Sequence, residues 1–264
     1  MEVLALLPAP LLSHLRAAVV RDHTLTVAND WGALHAVARR TPVDVAVVDP
    51  SVGGGVGADE VAELRGRNPS LPVVVYTALS PASLRAVVAL ARCGIEHVVL
   101  FQFDDDSRRL LDLLERLPGY ALSERLLEAL APAIGALPAA TARALERVVK
   151  APHRFFGAQD LAAAAGVSTR TLYRQLAAAG LASPRVVVQS ARLLRAYAYL
   201  RDATYSAKDV AAKLGYSSPD VLVQQSREAT GLTPGELRDD VEADELVALL
   251  TARLTGGHPS PRGV

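Results

Sequence analysis

The first 117 residues alternate short apolar runs with stretches in which apolar residues recur at helical spacing. The apolar runs predict strands near residues 2–7, 24–28, 44–48, 72–76 and 97–100. The helical spacing predicts helices near residues 10–20, 30–40, 58–68, 80–92 and 104–117. Five successive strand–helix units are typical of a parallel sheet that helices cover on both faces.

A domain boundary is predicted at residues 118–137. Pro118 and Gly119 precede one apolar helical pattern over residues 122–131, and Pro132 and Gly135 follow it. This segment is predicted to be a linker helix, and the sequence leaves open whether it is a dimer contact or a strut between domains.

The chain becomes helical from residue 158 and repeats itself. The stretch DLAAAAGVS at 160–168 recurs as DVAAKLGYS at 209–217, and AAGL at 178–181 recurs as ATGL at 229–232. Two copies are too few for a solenoid, so the sequence predicts one helix–turn–helix unit used twice.

In the first copy, Gly166 is expected to end one helix in a left-handed conformation and Ser168 to cap the next. Leu172 and Leu176 then lie on one face of the second helix. The opposite face carries candidate DNA-binding residues, namely Thr169, Arg170, Tyr173 and Arg174. Such a helix suits phosphate contacts and recognition of guanine in the major groove. A solvated helix in a plain bundle explains a single copy equally well.

The second copy and the segment between the copies favour DNA binding. Ser206 is expected to cap its first helix, Gly215 to end it, and Ser218 with Pro219 to begin the next. Residues 185–201 form one helical pattern about 25 Å long. This helix, with Arg192, Arg195 and Arg201 along it, is expected to hold two reading helices in consecutive major grooves about 34 Å apart.

Charge is segregated along a chain whose net charge is zero. Residues 1–117 carry 11 Lys and Arg against 14 Asp and Glu, whereas residues 138–238 carry 14 against 7. A net +7 segment between acidic ones suggests a polyanion-binding module. Residues 239–254 read as an acidic amphipathic helix for packing or a partner, followed by a disordered tail to residue 264.

Composition and motifs point away from other classes. The N-terminal stretch lacks a signal-peptide pattern and no apolar run has membrane-spanning length, so a cytoplasmic location is expected. Cys93 is the only cysteine, which argues against thiolate metal sites. The glycine run at 51–57 reads as a loop, because Ala58, Asp59 and Glu60 follow it instead of a P-loop lysine. No enzyme, cofactor or metal is expected.

The motifs DVAVVDP (44–50), LPVVVYTA (71–78) and CGIEHVV (93–99) resemble the receiver (CheY-like) domain, which implies a flavodoxin-like sheet. The resemblance places Asp49 at the phosphoacceptor position and Thr77 at the hydroxyl position. Residues that the family uses for Mg²⁺, for phosphoryl oxygens and for signalling are replaced by Pro8, Ala9, Phe101 and Val98. Because phosphoryl transfer depends on charge neutralisation, this pocket is expected to be degenerate, with Asp49 bonded to its own loop or to Thr77.

The motifs GYSSP (215–219) and ATGLTPGELR (229–238) closely resemble the AraC/XylS family DNA-binding domain. The resemblance implies seven helices over residues 138–238, with base-reading positions at Arg170, Tyr173 and Arg174. The second unit departs from the family pattern in DVLVQQS (220–226), where Gln224 replaces an arginine and Ser226 a phenylalanine. Its candidate DNA-binding residues are Ser218, Asp220, Val223, Gln224 and Arg227.

These observations predict a receiver-like domain at 1–117, a linker helix at 118–137, an AraC-type double helix-turn-helix domain at 138–238, and an acidic helix and tail at 239–264. The predicted function is a sequence-specific transcriptional regulator whose receiver-like domain is not phosphorylated. Two alternatives are a response regulator that depends on phosphorylated Asp49 and an interaction adaptor that has lost DNA binding. Expected partners are double-stranded DNA through the major groove, a second copy through the N-terminal domain, and RNA polymerase, with no membrane.

Overall fold

The computed structural model describes residues 1–19, 23–53, 57–68, 71–92, 95, 97–103, 105–115, 117–202 and 204–256. Cys93, Gly54–Val56 of the glycine run and the tail from residue 257 lie outside the described residues. The chain forms two compact units, Met1–Ala121 and Leu122–Val264.

The first unit contains a five-stranded sheet in which every pairing is parallel and the strand order is β2-β1-β3-β4-β5. Its strands are β1 (Glu2–Leu6), β2 (Thr24–Val27), β3 (Val45–Val48), β4 (Val73–Thr77) and β5 (His97–Leu100). Its helices are α1 (Ala9–Val19), α2 (Trp31–Arg40), α3 (Ala58–Arg67), α4 (Pro81–Arg92) and α5 (Ser107–Glu115). This order is the flavodoxin-like doubly wound arrangement, so the predicted fold class is confirmed.

Alternate residues of the central strands feed two separate cores. Val73 and Val75 of β4 pack with Leu34 and Leu64 of α2 and α3, whereas Tyr76 packs with Leu15 of α1 on the other face. Because side chains of a strand alternate between faces, a strand buried on both sides reads as a continuous apolar run. This burial explains why these strands are recognisable in the sequence.

The second unit is helical and has one core built around a central helix. Its helices are α6 (Pro118–Gly135), α7 (Ala139–Lys150), α8 (Ala158–Ala165), α9 (Thr169–Ala178), α10 (Pro184–Leu200), α11 (Ala207–Lys213), α12 (Pro219–Thr230), α13 (Pro234–Asp240) and α14 (Ala243–Leu254), with a 3₁₀ turn at Pro152–Arg154. α10 is buried around most of its circumference, which is typical of a core helix. In the described parts of both units, no helix is long and apolar enough to cross a membrane.

Two predicted helix boundaries are wrong. α6 continues through Pro132 to Gly135, because Ala133 and Ile134 pack against the core and tertiary packing outweighs the local cost of proline. The C-terminal helix begins at Ala243 rather than at residue 239. Val241 interrupts it, since its backbone is extended and its carbonyl accepts a hydrogen bond from the Tyr197 hydroxyl at 2.7 Å.

Candidate nucleic-acid interface and phosphoacceptor pocket

The first helix–turn–helix unit consists of α8 and α9 joined by a tight turn. Gly166 adopts a left-handed conformation with φ of 66° and ends α8. Ser168 caps α9 by accepting a hydrogen bond from the Thr171 amide at 3.1 Å. Both predicted caps are confirmed, and they set the direction in which α9 leaves the turn.

α9 has one buried and one exposed face. Leu172 and Leu176 are buried, while Arg170, Tyr173 and Arg174 are exposed and Thr169 is half-buried. On the flank, the Thr141 hydroxyl of α7 donates to the Gln175 side-chain oxygen at 2.7 Å. α9 is thus fixed along its apolar side, and its two arginines and tyrosine face solvent.

The second helix–turn–helix unit consists of α11 and α12. Ser206 and Asp209 form a reciprocal capping box at the start of α11, and Gly215 is left-handed with φ of 69°. Pro219 occupies the first turn of α12, and the Ser218 backbone is extended, although its side chain makes no capping bond. Both helix–turn–helix units therefore have a left-handed glycine in the turn and an extended serine before the second helix.

The exposed face of α12 is chemically different from that of α9. Asp220, Gln224 and Arg227 are exposed, whereas Ser218 and Val223 are half-buried. The Gln224 amide donates to Glu228 one turn later at 2.8 Å. Ser226 is fully buried, and its hydroxyl donates to the Leu232 carbonyl at 2.7 Å. α12 therefore offers one exposed cation beside two carboxylates.

The sequence interpretation of α10 as a helix that displays three arginines is wrong for two of them. Arg192 and Arg195 are buried, with exposures of 5% and 6%. Arg192 donates to the carbonyls of Phe155 at 3.2 Å and Leu214 at 2.9 Å, and Arg195 donates to the Lys150 carbonyl at 3.0 Å. These side chains hold neighbouring helices against α10, so they do not form an exposed row that contacts the phosphates of DNA.

Asp49 lies directly after β3 and is 2% exposed. One of its carboxylate oxygens accepts hydrogen bonds from the Thr77 hydroxyl at 3.0 Å and from the Ser51 amide at 2.9 Å. Gly57 comes so close to Pro50 that a Cβ atom would lie 2.3 Å from its carbonyl oxygen. The expected bonds of Asp49 to its own loop and to Thr77 are both confirmed.

The position where the receiver family has a lysine is occupied by Phe101, which packs on aromatic rings instead. Its ring centroid lies 6.3 Å from that of Tyr76 and 6.2 Å from that of His14. Tyr76 in turn donates to Asp105 at 2.7 Å. Burial favours a higher pKa for Asp105, but hydrogen bonds from Tyr76 and Gln102 outweigh it and lower the pKa. Phe101 thus belongs to a core cluster.

One group of described residues has the chemistry to hold a metal ion. Potential ligand atoms of His35, Glu60 and Glu63 lie within 4.8 Å of one another. Glu63 is already paired with Arg67 at 2.5 Å, one helical turn away. The neighbouring guanidinium competes with a cation for this carboxylate, and the three residues lie on α2 and α3.

Sequence reasoning missed two aromatic residues that meet next to Arg192. The Arg192 guanidinium lies 5.1 Å from the Phe156 ring centroid and 4.3 Å from that of Tyr216. Phe156 nevertheless remains 67% exposed. The chain has only four phenylalanines, and two of them are adjacent at Phe155 and Phe156. This pair was the sequence signal that could have pointed to an exposed aromatic residue here, because neighbouring side chains often differ in burial. In the structure Phe155 is buried and Phe156 is exposed.

The fold and these two helix–turn–helix units define a DNA-binding protein with a receiver-like N-terminal domain. Residues 161–240 match the family described as a helix-turn-helix domain, and this part of the chain is an AraC-type DNA-binding domain. The chain thus joins a domain with a flavodoxin-like sheet to an AraC-type helix-turn-helix domain.

Two solved structures are among those similar to this chain. Full-length FixJ from B. japonicum has 15% sequence identity and a TM-score of 0.39 over 88% of this chain and 98% of its own. NtrX from Brucella abortus, in complex with ATP, has 18% identity and a TM-score of 0.40 over 62% of this chain and 39% of its own. No curated protein matches the chain.

Proposed function

We propose that this protein is a sequence-specific transcriptional regulator whose receiver-like domain acts without phosphorylation of Asp49. The observation that carries the DNA-binding part is the exposed face of α9. Arg170, Tyr173 and Arg174 are exposed there, while the capped helix is anchored by its buried leucines. Arginine recognises guanine through two parallel hydrogen bonds, which makes this face suited to base reading.

The two helix–turn–helix units are proposed to contribute unequally to DNA binding. On α12, Asp220 repels phosphate and Gln224 is engaged with Glu228. Arg227 is the cation that α12 exposes and is proposed to contact phosphate. Thr169 and Ser218 begin their helices where backbone contacts are expected, and Val223 offers apolar contact to a thymine methyl group.

The proposal for Asp49 rests on what surrounds it. Pro8 and Ala9 supply no carboxylate for Mg²⁺, and Phe101 supplies no charge for a phosphoryl group. Asp49 and Thr77 are hydrogen-bonded to each other. We infer that the pocket is a structural remnant that holds the loop after β3.

Without a role in phosphorylation, the N-terminal unit, Met1–Ala121, is available as an assembly surface. We infer that it forms a homodimer. We also infer that RNA polymerase is a further partner and that the protein acts in the cytoplasm. Light scattering of the full chain tests the dimer. A monomeric mass at micromolar concentration would contradict that inference without affecting DNA binding.

Mapping of binding sites on genomic DNA, followed by mobility-shift assays on the recovered sequence and a scrambled duplex, tests the function itself. Selective retention of the recovered duplex is expected. Failure to bind either duplex would favour the adaptor alternative.

A further inference from the structure

A groove of about 450 Å³ lies inside the second unit, between the two helix–turn–helix motifs. Its walls come from α9, the first half of α10, α12 with the turn before it, and the segment that leads into α8. Its chemistry is set by Phe156, Tyr173, Val188, Arg192, Tyr216 and Gln225. The volume is within the range of small-molecule sites in proteins.

The groove wall contains a buried cation. Arg192 is 5% exposed, and its hydrogen bonds go to the carbonyls of Phe155 and Leu214. In the described part of the chain, carbonyl oxygens and aromatic rings meet this charge rather than a carboxylate. Arg185, also on the wall, is exposed. A buried positive charge without a counter-ion favours an anionic ligand.

Among the described residues, the Gln225 side-chain oxygen has no hydrogen-bond donor, and the Tyr216 O–H has no acceptor, since the Arg192 guanidinium beside this phenol can only donate to it. Tyr216 is 9% exposed, and its burial raises the pKa against the weaker opposing effect of Arg192. The phenol therefore stays protonated as a donor. Buried polar groups without partners are uncommon in folded proteins and indicate an absent partner.

The groove also exposes aromatic surface. The Phe156 ring is 67% exposed and Tyr173 is 45% exposed, and Val188 and Val221 line the space between the motifs. Flat apolar side chains of this kind stack well on a planar ring. A phosphate ion would neutralise the charge of Arg192 but would make no contact with these aromatic side chains, so an anion that carries a planar ring fits the groove better.

We propose that the groove binds a small planar aromatic carboxylate. The carboxylate faces Arg192 and accepts a hydrogen bond from Tyr216, while the ring lies between Phe156 and Tyr173. Because Tyr173 is also a proposed DNA-reading residue, the regulatory consequence rests on the proposed function. The ligand anion cancels positive charge beside the reading helices, so it lowers affinity for DNA, and DNA lowers affinity for the ligand by the same factor.

Isothermal titration calorimetry on the full chain without DNA tests the site. The probes are benzoate and 2-naphthoate, with three controls: cyclohexanecarboxylate, which keeps the charge, benzamide, which keeps the ring, and inorganic phosphate. Saturable binding of at least one aromatic carboxylate is expected, with each control at least about tenfold weaker. Absence of binding by both aromatic carboxylates, or equal binding of a control, would overturn the proposal.

Tyr216→Phe removes the proposed donor to the ligand. It is expected to weaken the aromatic carboxylate about tenfold, the effect of losing one hydrogen bond to a charged group. Tyr216→Phe keeps the ring on Arg192, so the fold is preserved. Gln224→Ala alters a side chain that is absent from the lining, and unchanged ligand affinity is expected. Wild-type ligand affinity in Tyr216→Phe would overturn the assignment.

DNA binding is measured separately by fluorescence anisotropy with and without saturating 2-naphthoate. A lower DNA affinity with the ligand supports the regulatory role, and an unchanged affinity overturns it. If the protein binds the carboxylate but no DNA, the ligand site stands and the proposed function fails. If the protein binds DNA but no carboxylate, the proposed function stands and the ligand site fails.

Discussion

The Thr77 hydroxyl donates a hydrogen bond to the Asp49 carboxylate across 3.0 Å, joining the ends of two adjacent strands. The same carboxylate oxygen accepts a bond from the Ser51 amide at 2.9 Å. These bonds lie within a buried site, where an unsatisfied donor is costly. They give Asp49 a structural role that does not require a phosphoryl group.

Asp49→Asn is therefore expected to change the free energy of unfolding by less than about 1 kcal/mol, because an amide oxygen still accepts both bonds. Asp49→Ala is expected to cost about 1–3 kcal/mol, since both donors lose their acceptor. Urea denaturation of the two variants makes the comparison. Asp49→Asn should also leave DNA affinity unchanged.

The corresponding chemical test uses a small-molecule phosphodonor with Mg²⁺. We expect mass spectrometry to find no phosphoryl adduct on Asp49. An alkali-labile adduct at this residue would contradict the non-phosphorylated receiver and support the response-regulator alternative.

Arg192→Leu is expected to destabilise the second unit by about 2–4 kcal/mol, because two carbonyls and two rings lose their cation. Arg201→Ala on the same helix region is the control, since Arg201 is exposed and makes one bond to the Arg238 carbonyl at 3.1 Å. Trp31 is the only tryptophan and lies in the first unit. In urea denaturation of Arg192→Leu, the midpoint reported by far-ultraviolet ellipticity should fall more than the midpoint reported by Trp31 fluorescence. Equal changes of the ellipticity midpoint in Arg192→Leu and Arg201→Ala would argue against this role of Arg192.

Local signals explain most of what the sequence predicts correctly. β4 is recognisable because it is apolar on both faces, and α9 because Gly166 and Ser168 act on their immediate neighbours. The bonds of Asp49 follow from the order of β3 and β4 in a parallel sheet. Each of these features depends on spacing within one element or on a common topology.

The burial of Arg192 could not be predicted in the same way. Its carbonyl partners are 37 and 22 residues distant in sequence, and no periodicity distinguishes a buried arginine from a DNA-binding one. The groove beside it arises from the same tertiary packing of segments distant in sequence. The prediction of the end of α6 at Pro132 was wrong for a similar reason, because contacts with the core outweigh the tendency of proline to end a helix.

Lys213 should make stability depend on pH in the alkaline range. Burial lowers its pKa to about 8 from 10.5, despite the opposing charge of Asp202. The folded protein then releases this proton before the unfolded chain does, so the free energy of unfolding rises with pH between about 8 and 10.5. The difference between the two pKa values limits this gain to about 3 kcal/mol. The nearby Tyr199 and Tyr205 rings stabilise the cation and therefore oppose the gain.

Urea midpoints of the wild type and Lys213→Met across this pH range isolate the contribution. The wild type is expected to gain stability relative to Lys213→Met as pH rises. Lys208→Met, an exposed position on the same helix, should follow the wild type. Parallel curves for wild type and Lys213→Met would show that the charged form is not disfavoured by folding.

The two reading helices should differ in base discrimination. Arg174→Ala is expected to lose about 1–3 kcal/mol of preference for one half of the binding site, the worth of an arginine–guanine contact. Gln224→Ala should change little, since its amide is engaged with Glu228. Arg227→Ala should weaken binding to all sequences and reduce the salt slope by about one.

The most direct test of DNA reading by α9 is fluorescence anisotropy of the wild type, Arg174→Ala and Gln224→Ala on a duplex selected from a random library and on its scrambled form. The account predicts that the wild type prefers the selected duplex, and that Arg174→Ala loses more of this preference than Gln224→Ala across a salt series. A larger loss for Gln224→Ala, or equal wild-type affinity for both duplexes, would contradict it.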